Sequence, residues 1–257
     1  MRKAFTLVEL LVVIGIIALL LGILLPTLGS ARRSGELAVC GSNLRQLHAA
    51  VVLYANDHAG RAPPGAALFF DASRVAESNL RRWHGERDDD DDAFNATRGP
   101  IWEYLETDEI KRCPSLRDDE LRSNIGQAAA FEASAGGYGY NSRYVGLERN
   151  GDTRSELGAR LVEFRDSART VLFTDAALLR PQLIEYSFAE PPASGLDPSI
   201  HFRHGDRKAN VMWLDGHVSQ EVFAFTSSNI YGATVDDHQE AGIGWFLPDS
   251  VELFDRE

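Results

Sequence analysis

The sequence predicts an α+β protein: a long N-terminal helix, half of it in a membrane, packed by its outer half on a small antiparallel β-sheet. Three observations predict this. Phe5 to Leu25 is an apolar run of 21 residues in which Glu9 is the only charge. Beyond it Leu37, Cys40, Leu44, Leu47, Val51 and Tyr54 recur at spacings of 3, 4, 3, 4 and 3, the stripe of a one-sided helix. Far downstream, Asp215-Gly216 separates two runs with strand character, Ala209–Leu214 and His217–Val222, which reads as a hairpin over 209–222 with a two-residue type I′ turn.

The first element is the apolar run. At ~1.5 Å of rise per residue it covers about 32 Å, enough to cross the hydrocarbon core of a bilayer. Arg2 and Lys3 precede it, so the positive-inside rule places the N-terminus in the cytoplasm and the rest of the chain outside. Glu9 is the anomaly. An acid inside a membrane helix costs roughly 2.5–3.5 kcal/mol and is ordinarily kept for a partner. A shallow position near the headgroups is one reading. The other is a cation: a cut between Ala4 and Phe5 would create an α-amino group on a neighbouring subunit, able to pair with Glu9 where the dielectric is low. The charge inside the apolar run, and the lack of a small-x-small site after it, argue against an ordinary secretory signal.

Pro26 and Gly29 read as a local loosening, since membrane helices tolerate both. The helix then continues as the amphipathic stripe to about Asp57, with Gly35 and Gly41 weakening it by roughly 1 kcal/mol each relative to Ala. Residues 1–4 are therefore a leader, 5–58 the helix with 5–25 in the membrane, and 59–257 a globular domain. Gly60, Pro63, Pro64 and Gly65 end the helix. To about residue 100 there is little periodicity. The run Asp88–Asp92 reads as a solvated loop, because a bare acidic run lacks the Gly- and Asn-spaced oxygens of a calcium loop.

Ile101–Leu105 reads as a short helix or turn burying Ile101, Trp102 and Leu105. Gly136–Asn141 reads as a glycine-aromatic loop beside the core, without the Lys or strand-to-helix context of a phosphate loop. Leu161–Phe164 and Thr170–Thr174 are two short β-like runs. The last thirty residues read as irregular, with Trp245, Phe246 and Phe254 buried.

Composition bounds the function. Acids outnumber bases 38 to 26, for a net charge of −12, and losing Arg2 and Lys3 would take it to −14. That argues against a nucleic-acid partner, which needs a basic face. Cys40 and Cys113 both fall beyond the membrane segment and form a candidate disulfide for an oxidising compartment, provided their Cβ atoms approach to ~3.5–4.5 Å. His201, His204, Asp215 and His217, with Asp175 ending an earlier strand, are the candidate metal ligands. Turn chemistry explains Asp215 equally well, and solvent exposure explains His217. No His-Glu-x-x-His helix and no Gly-x-Ser-x-Gly elbow occurs. The expectation is no enzyme and no cofactor, with a bound metal ion left open.

Ala4-Phe5-Thr6-Leu7-Val8-Glu9-Leu10-Leu11 resembles the signal of type IV prepilins and type II secretion pseudopilins. The resemblance implies that a prepilin peptidase cuts before Phe5 and methylates the new amine, and that Glu9 guides assembly with other subunits. The residue before the cut is usually Gly in that family; here it is Ala4. Arg203-His204-Gly205 followed by Asp215-Gly216-His217-Val218 is similar to the His-x9-Asp-Gly signature of prepilin-like families abundant in planctomycete-type bacteria. Ten residues rather than nine separate His204 from Asp215. Cys40–Leu47, Cys113-Pro114-Ser115 and Tyr138–Asn141 look like recurring blocks of the same families, for which the resemblance implies no established activity.

The expectation is a pseudopilin-like structural subunit of a type II secretion or type IV pilus-like assembly, single-pass in the bacterial inner membrane with its C-terminal domain in the periplasm or at the cell surface. A membrane-tethered binding module that does not polymerise is the main alternative, and a metal-dependent enzyme a further one.

Overall fold

The computed structural model describes residues 7–66, 79–89, 92–105, 107, 112–117, 121, 134–148, 157–180, 182–192, 196–246 and 252–255. The leader and the expected cut site at Ala4 and Phe5 lie outside them. Helix α1 runs unbroken from Leu7 to Asp57. Pro26 removes one backbone donor without ending it, and the Thr27 hydroxyl donates to the Leu24 carbonyl at 2.8 Å in the same turn. Nor does the helix break at Gly35, where the Arg32–Glu36 pair, at 2.9 Å, spans one turn.

The two halves of α1 meet different surroundings. Leu7 to Leu28 are exposed apolar side chains, and burial against the rest of the chain begins only at Cys40. From there Cys40, Leu44, Leu47, Ala50 and Val51 join one core cluster with Tyr138, Tyr140, Leu172, Phe173, Met212 and Leu214. Four of these, Cys40, Leu44, Leu47 and Val51, are stripe positions read from the sequence; the stripe's two ends, Leu37 and Tyr54, are only half-buried.

In chain order the strands are β1 (Arg81–Arg82), β2 (Gly85–Glu86), β3 (Tyr138–Tyr140), β4 (Val171–Asp175), β5 (Leu178–Arg180), β6 (Gln182–Ile184), β7 (Ile200–His201), β8 (Lys208–Trp213), β9 (Val218–Val222) and β10 (Ile243–Gly244). The main sheet has the order β3-β4-β8-β9, antiparallel throughout. Strand alternation splits β8 between two cores. Met212 faces α1, whereas Ala209, Val211 and Trp213 face a second cluster with Trp245, Phe246, Leu253 and Phe254. The sheet is thus covered on both sides. The remaining strands pair as β1/β2, β5/β6 and β7/β10.

Several sequence expectations are corrected. The β8–β9 hairpin is present, but its turn is not the two-residue type I′. Trp213 N–H donates to the His217 carbonyl and Gly216 N–H to the Trp213 carbonyl, with φ +94° at Gly216. That is a three-residue loop with one left-handed glycine. Its N–H groups explain the choice: Leu214 donates to the Thr170 carbonyl and Asp215 to that of Ser167, pinning the loop to the segment before β4. The tight left-handed turn sits instead at Asp206 and Arg207, φ 60° and 54°, closed by His204 and Lys208 exchanging both backbone hydrogen bonds.

Gly136–Asn141 contains strand β3 rather than only a loop, because the glycines admit close neighbours: a Cβ at Gly139 would lie 2.5 Å from the Phe188 carbonyl oxygen. Leu161–Glu163 is a 3-10 turn, not a strand. Trp102–Tyr104 forms the expected short turn, but only Ile101 is buried, with Trp102 and Leu105 half-buried. The last thirty residues bury Trp245, Phe246 and Phe254, yet include a helix, α2 (Val235–Ala241). Thr234 and Asp237 form its capping box and Gly242 its left-handed C-cap. Of the acidic run, Asp88 pairs with Arg98 at 2.8 Å.

Candidate functional site

The buried face of α1 meets the sheet in a polar cluster. Cys40 projects from α1. Cys113 stands in the loop before β3, its N–H donating to the Gly136 carbonyl at 3.0 Å. Asp175 ends β4, and His204 follows β7 at the base of the left-handed turn. One donor atom from each of these four residues lies within 4.8 Å of all the others. Cys40, Cys113 and Asp175 are wholly buried, and His204 is 6% exposed.

The contacts are specific. Cys40 Sγ donates to Asp175 Oδ1 at 3.1 Å, and Tyr138 Oη donates to Cys40 Sγ at 3.4 Å. Asn43 Nδ2 donates to Tyr138 Oη at 3.1 Å. His204 Nε2 lies 3.0 Å from Asp175 Oδ2, 3.0 Å from Asn210 Nδ2 and 3.9 Å from Cys113 Sγ. Asp175 Oδ2 also accepts the Asn210 backbone N–H at 2.7 Å. Arg203 donates to Asp175 Oδ1 at 2.9 Å and to the Gly137 carbonyl.

These neighbours set the charges. Burial opposes ionisation of Asp175, but the Arg203 guanidinium and the His204 ring hold its carboxyl well below the usual range. Burial also works against a charged His204, yet the hydrogen bond to Asp175 and the contact with Cys113 lift it to about 9. The two thiols diverge. The Cys40 contact brings Cys113 down to about 5 despite burial, whereas burial, the Cys113 contact and Asp175 push Cys40 up. The cluster therefore favours a thiolate at Cys113.

The two cysteines of the candidate disulfide, Cys40 and Cys113, meet in this cluster as free thiols. Besides their contact with each other, Cys40 is engaged by Asp175 and Tyr138, and Cys113 by His204. Of the metal candidates, Asp175 and His204 come together; Asp215 and His217 do not join them. Asp215 lies beyond the end of β8, in the hairpin loop, and pairs with His217 at 2.6 Å there. His201 is buried, its Nδ1 3.2 Å from Arg203, and burial followed by the Arg203 charge drives it down to about 3. Sequence reasoning assigned Cys40 to the packing stripe and to a bridge, and so missed both cysteines as members of this cluster. The signal available was Asn43 three positions after Cys40, a polar residue on the same buried face.

Two thiols, an imidazole and a carboxylate are the donor types that hold zinc. A groove of about 410 Å³ between α1 and the Cys113 loop, lined by Arg32, Arg33, Glu36, Ser115, Arg203 and His204, reaches the cluster from outside.

At the other end of the molecule, residues 1–25 match the family model of the prokaryotic N-terminal methylation motif. No curated protein and no solved structure matches the chain. The motif implies processing by a prepilin peptidase and pilin-type assembly in general. It continues into α1, the helix among the described residues long and apolar enough to cross a membrane. The chain thus carries a prepilin-type N-terminal methylation motif that leads into a helix long and apolar enough to cross a membrane.

Proposed function

We propose that this pilin-like chain is a pseudopilin-like structural subunit of a type II secretion or type IV pilus-like assembly, cut between Ala4 and Phe5 in the inner membrane, with its globular domain on the extracytoplasmic side. The observation that carries the reading is the division of α1. Its first half keeps large apolar side chains from Leu7 to Leu28 on the outside, on every side of the helix, while its second half is welded to the sheet. A simple anchor also needs an apolar span, but it does not need an acid at Glu9 beside a methylation motif.

In this reading the α-amino group of a processed neighbour meets Glu9, and Leu10 to Leu25 pack as the bundle core. Two measurements test it. Intact mass of the membrane-purified chain should show Phe5 at the start, N-methylated; retention of Met1 overturns the processing. Crosslinking in the membrane should give ladders that disappear in Glu9→Val. Ladders unchanged by Glu9→Val, or surface display without ladders in either form, would leave a tethered binding module instead.

A further inference from the structure

We propose that Cys40, Cys113, Asp175 and His204 bind a zinc ion that ties the outer half of α1 to the sheet. The site draws one ligand from the helix, one from the loop before β3, one from the end of β4 and one from the turn after β7, so a single ion would fasten four separate segments. It does not depend on whether the chain assembles.

The spacing fits. Zinc takes sulfur at ~2.3 Å and nitrogen or oxygen at ~2.0–2.2 Å in a tetrahedron, so neighbouring ligand atoms stand roughly 3.3–3.8 Å apart. The separations here are 3.1 Å from Cys40 Sγ to Asp175 Oδ1, 3.0 Å from His204 Nε2 to Asp175 Oδ2 and 3.9 Å from Cys113 Sγ to His204 Nε2, and one donor atom of each residue lies within 4.8 Å of the other three. A contraction of up to about 1 Å, with one Asp175 oxygen as the ligand, brings these atoms to the coordination sphere.

The hydrogen bonding points the same way. His204 Nε2 faces the Asp175 carboxylate, the Asn210 amide and the Cys113 sulfur at once. One ring nitrogen carries either a single hydrogen or a single lone pair, so it cannot satisfy all three. A cation at the centre uses the lone pair and leaves Asp175 and the sulfurs as fellow ligands. The surroundings are those of a supported metal site. Arg203 and the Asn210 N–H orient the Asp175 carboxylate, Tyr138 Oη donates to the Cys40 sulfur, and Asn43 fixes Tyr138. Charge balances as well: two thiolates and a carboxylate offset Arg203 and a divalent ion, with the imidazole neutral. The groove that reaches His204 provides an entry path.

The test uses the full chain, purified in detergent under reductant and titrated with Co²⁺. Expected are thiolate-to-cobalt charge-transfer bands and intense visible bands of a tetrahedral site, saturating at one ion per chain and abolished by one equivalent of Zn²⁺. Cys113→Ser should lose the charge-transfer intensity of one sulfur and bind far more weakly, whereas Asp215→Ala should titrate like the parent. Should Cys113→Ser not fold, Tyr138→Phe carries the test. It keeps all four donors and removes one hydrogen bond to sulfur, and should weaken binding about 10–100-fold. Absence of the bands in the reduced parent overturns the proposal, as do bands unchanged in both variants. A chain isolated without reductant that holds no metal, and whose mass is lower by two hydrogens, would instead show a Cys40–Cys113 disulfide and overturn it too.

Discussion

Arg203 and Asp175 form a buried ion pair, Nη2 to Oδ1 2.9 Å, with side chains 2% and 0% exposed. Such a pair adds little over an apolar replacement of both members, but losing one member strands the other charge in the interior. Arg203→Met should therefore cost about 3–5 kcal/mol, read by urea unfolding of the full chain in detergent. The double variant Arg203→Met, Asp175→Asn should cost less than the sum of the single changes. A cost below about 1 kcal/mol for the single variant, the size of an exposed pair, would mean that water reaches Asp175.

Gly139 carries a second prediction. It lies in β3 between β4 and the Phe188 segment, where a Cβ would meet the Phe188 carbonyl oxygen at 2.5 Å and the Ala176 methyl at 2.7 Å. Backbone cannot step aside as a flexible side chain can. Gly139→Ala should cost about 1–3 kcal/mol through overpacking and broaden the thermal transition. Gly205, where an added Cβ meets nothing within 4 Å, serves as the control. Equal melting temperatures for the two alanine variants would refute the close approach.

What could be read in the sequence followed from periodicity. The apolar run and the 3–4 stripe of α1 each repeat a rule over many residues, and β8 and β9 alternate around a turn signal. The site was less legible because nothing periodic assembles it. Asp175 and His204 were found as residue types near strand ends, but their partner was sought at Asp215 and His217, next to His204 in chain order. The β4–β8 pairing, which puts Thr174 opposite Val211, instead brings Asp175 beside Asn210, and the α1 seam brings Cys40 to it from 135 positions away. Helix α2 was missed because a seven-residue element offers two turns of pattern, although Thr234-x-x-Asp237 was present as a start signal.

His84 gives a pH prediction. Its ring is buried in the β1–β2 turn against Trp83 and Phe94, neither nitrogen has a hydrogen-bond partner, and burial, then the nearby Arg82 and Arg87 cations, pushes it well below its ordinary value. The folded chain thus binds this proton less readily than the unfolded chain. Its stability is complete above the unfolded value near ~6.5 and falls as pH drops below it, by up to ~1.4 kcal/mol per pH unit for one proton. His84→Leu should remove that share of the slope between pH 6.5 and 5, leaving the contribution of the other histidines. Identical slopes for parent and variant in urea unfolding would show that His84 is charged or hydrated in the fold.

The last prediction concerns where the fold begins. None of Leu7 to Leu28 is buried against the rest of the chain, and the first side chains to enter the core are Cys40 and Leu44. Nearly three turns of helix precede Cys40 if the chain starts at Ser30, enough to hold it in register through the hydrogen bonds of its own turn. A chain of residues 30–257 should therefore be soluble without detergent and keep the unfolding temperature of the full protein to within a few degrees. Leu44→Ala in that shorter chain removes a wholly buried side chain from the α1 seam and should cost about 2–5 kcal/mol. Leu19→Ala in the full chain should leave unfolding unchanged, since Leu19 is 67% exposed. If the shorter chain does not fold, the membrane half of α1 supplies stability to the domain, and the division of labour along the helix is wrong.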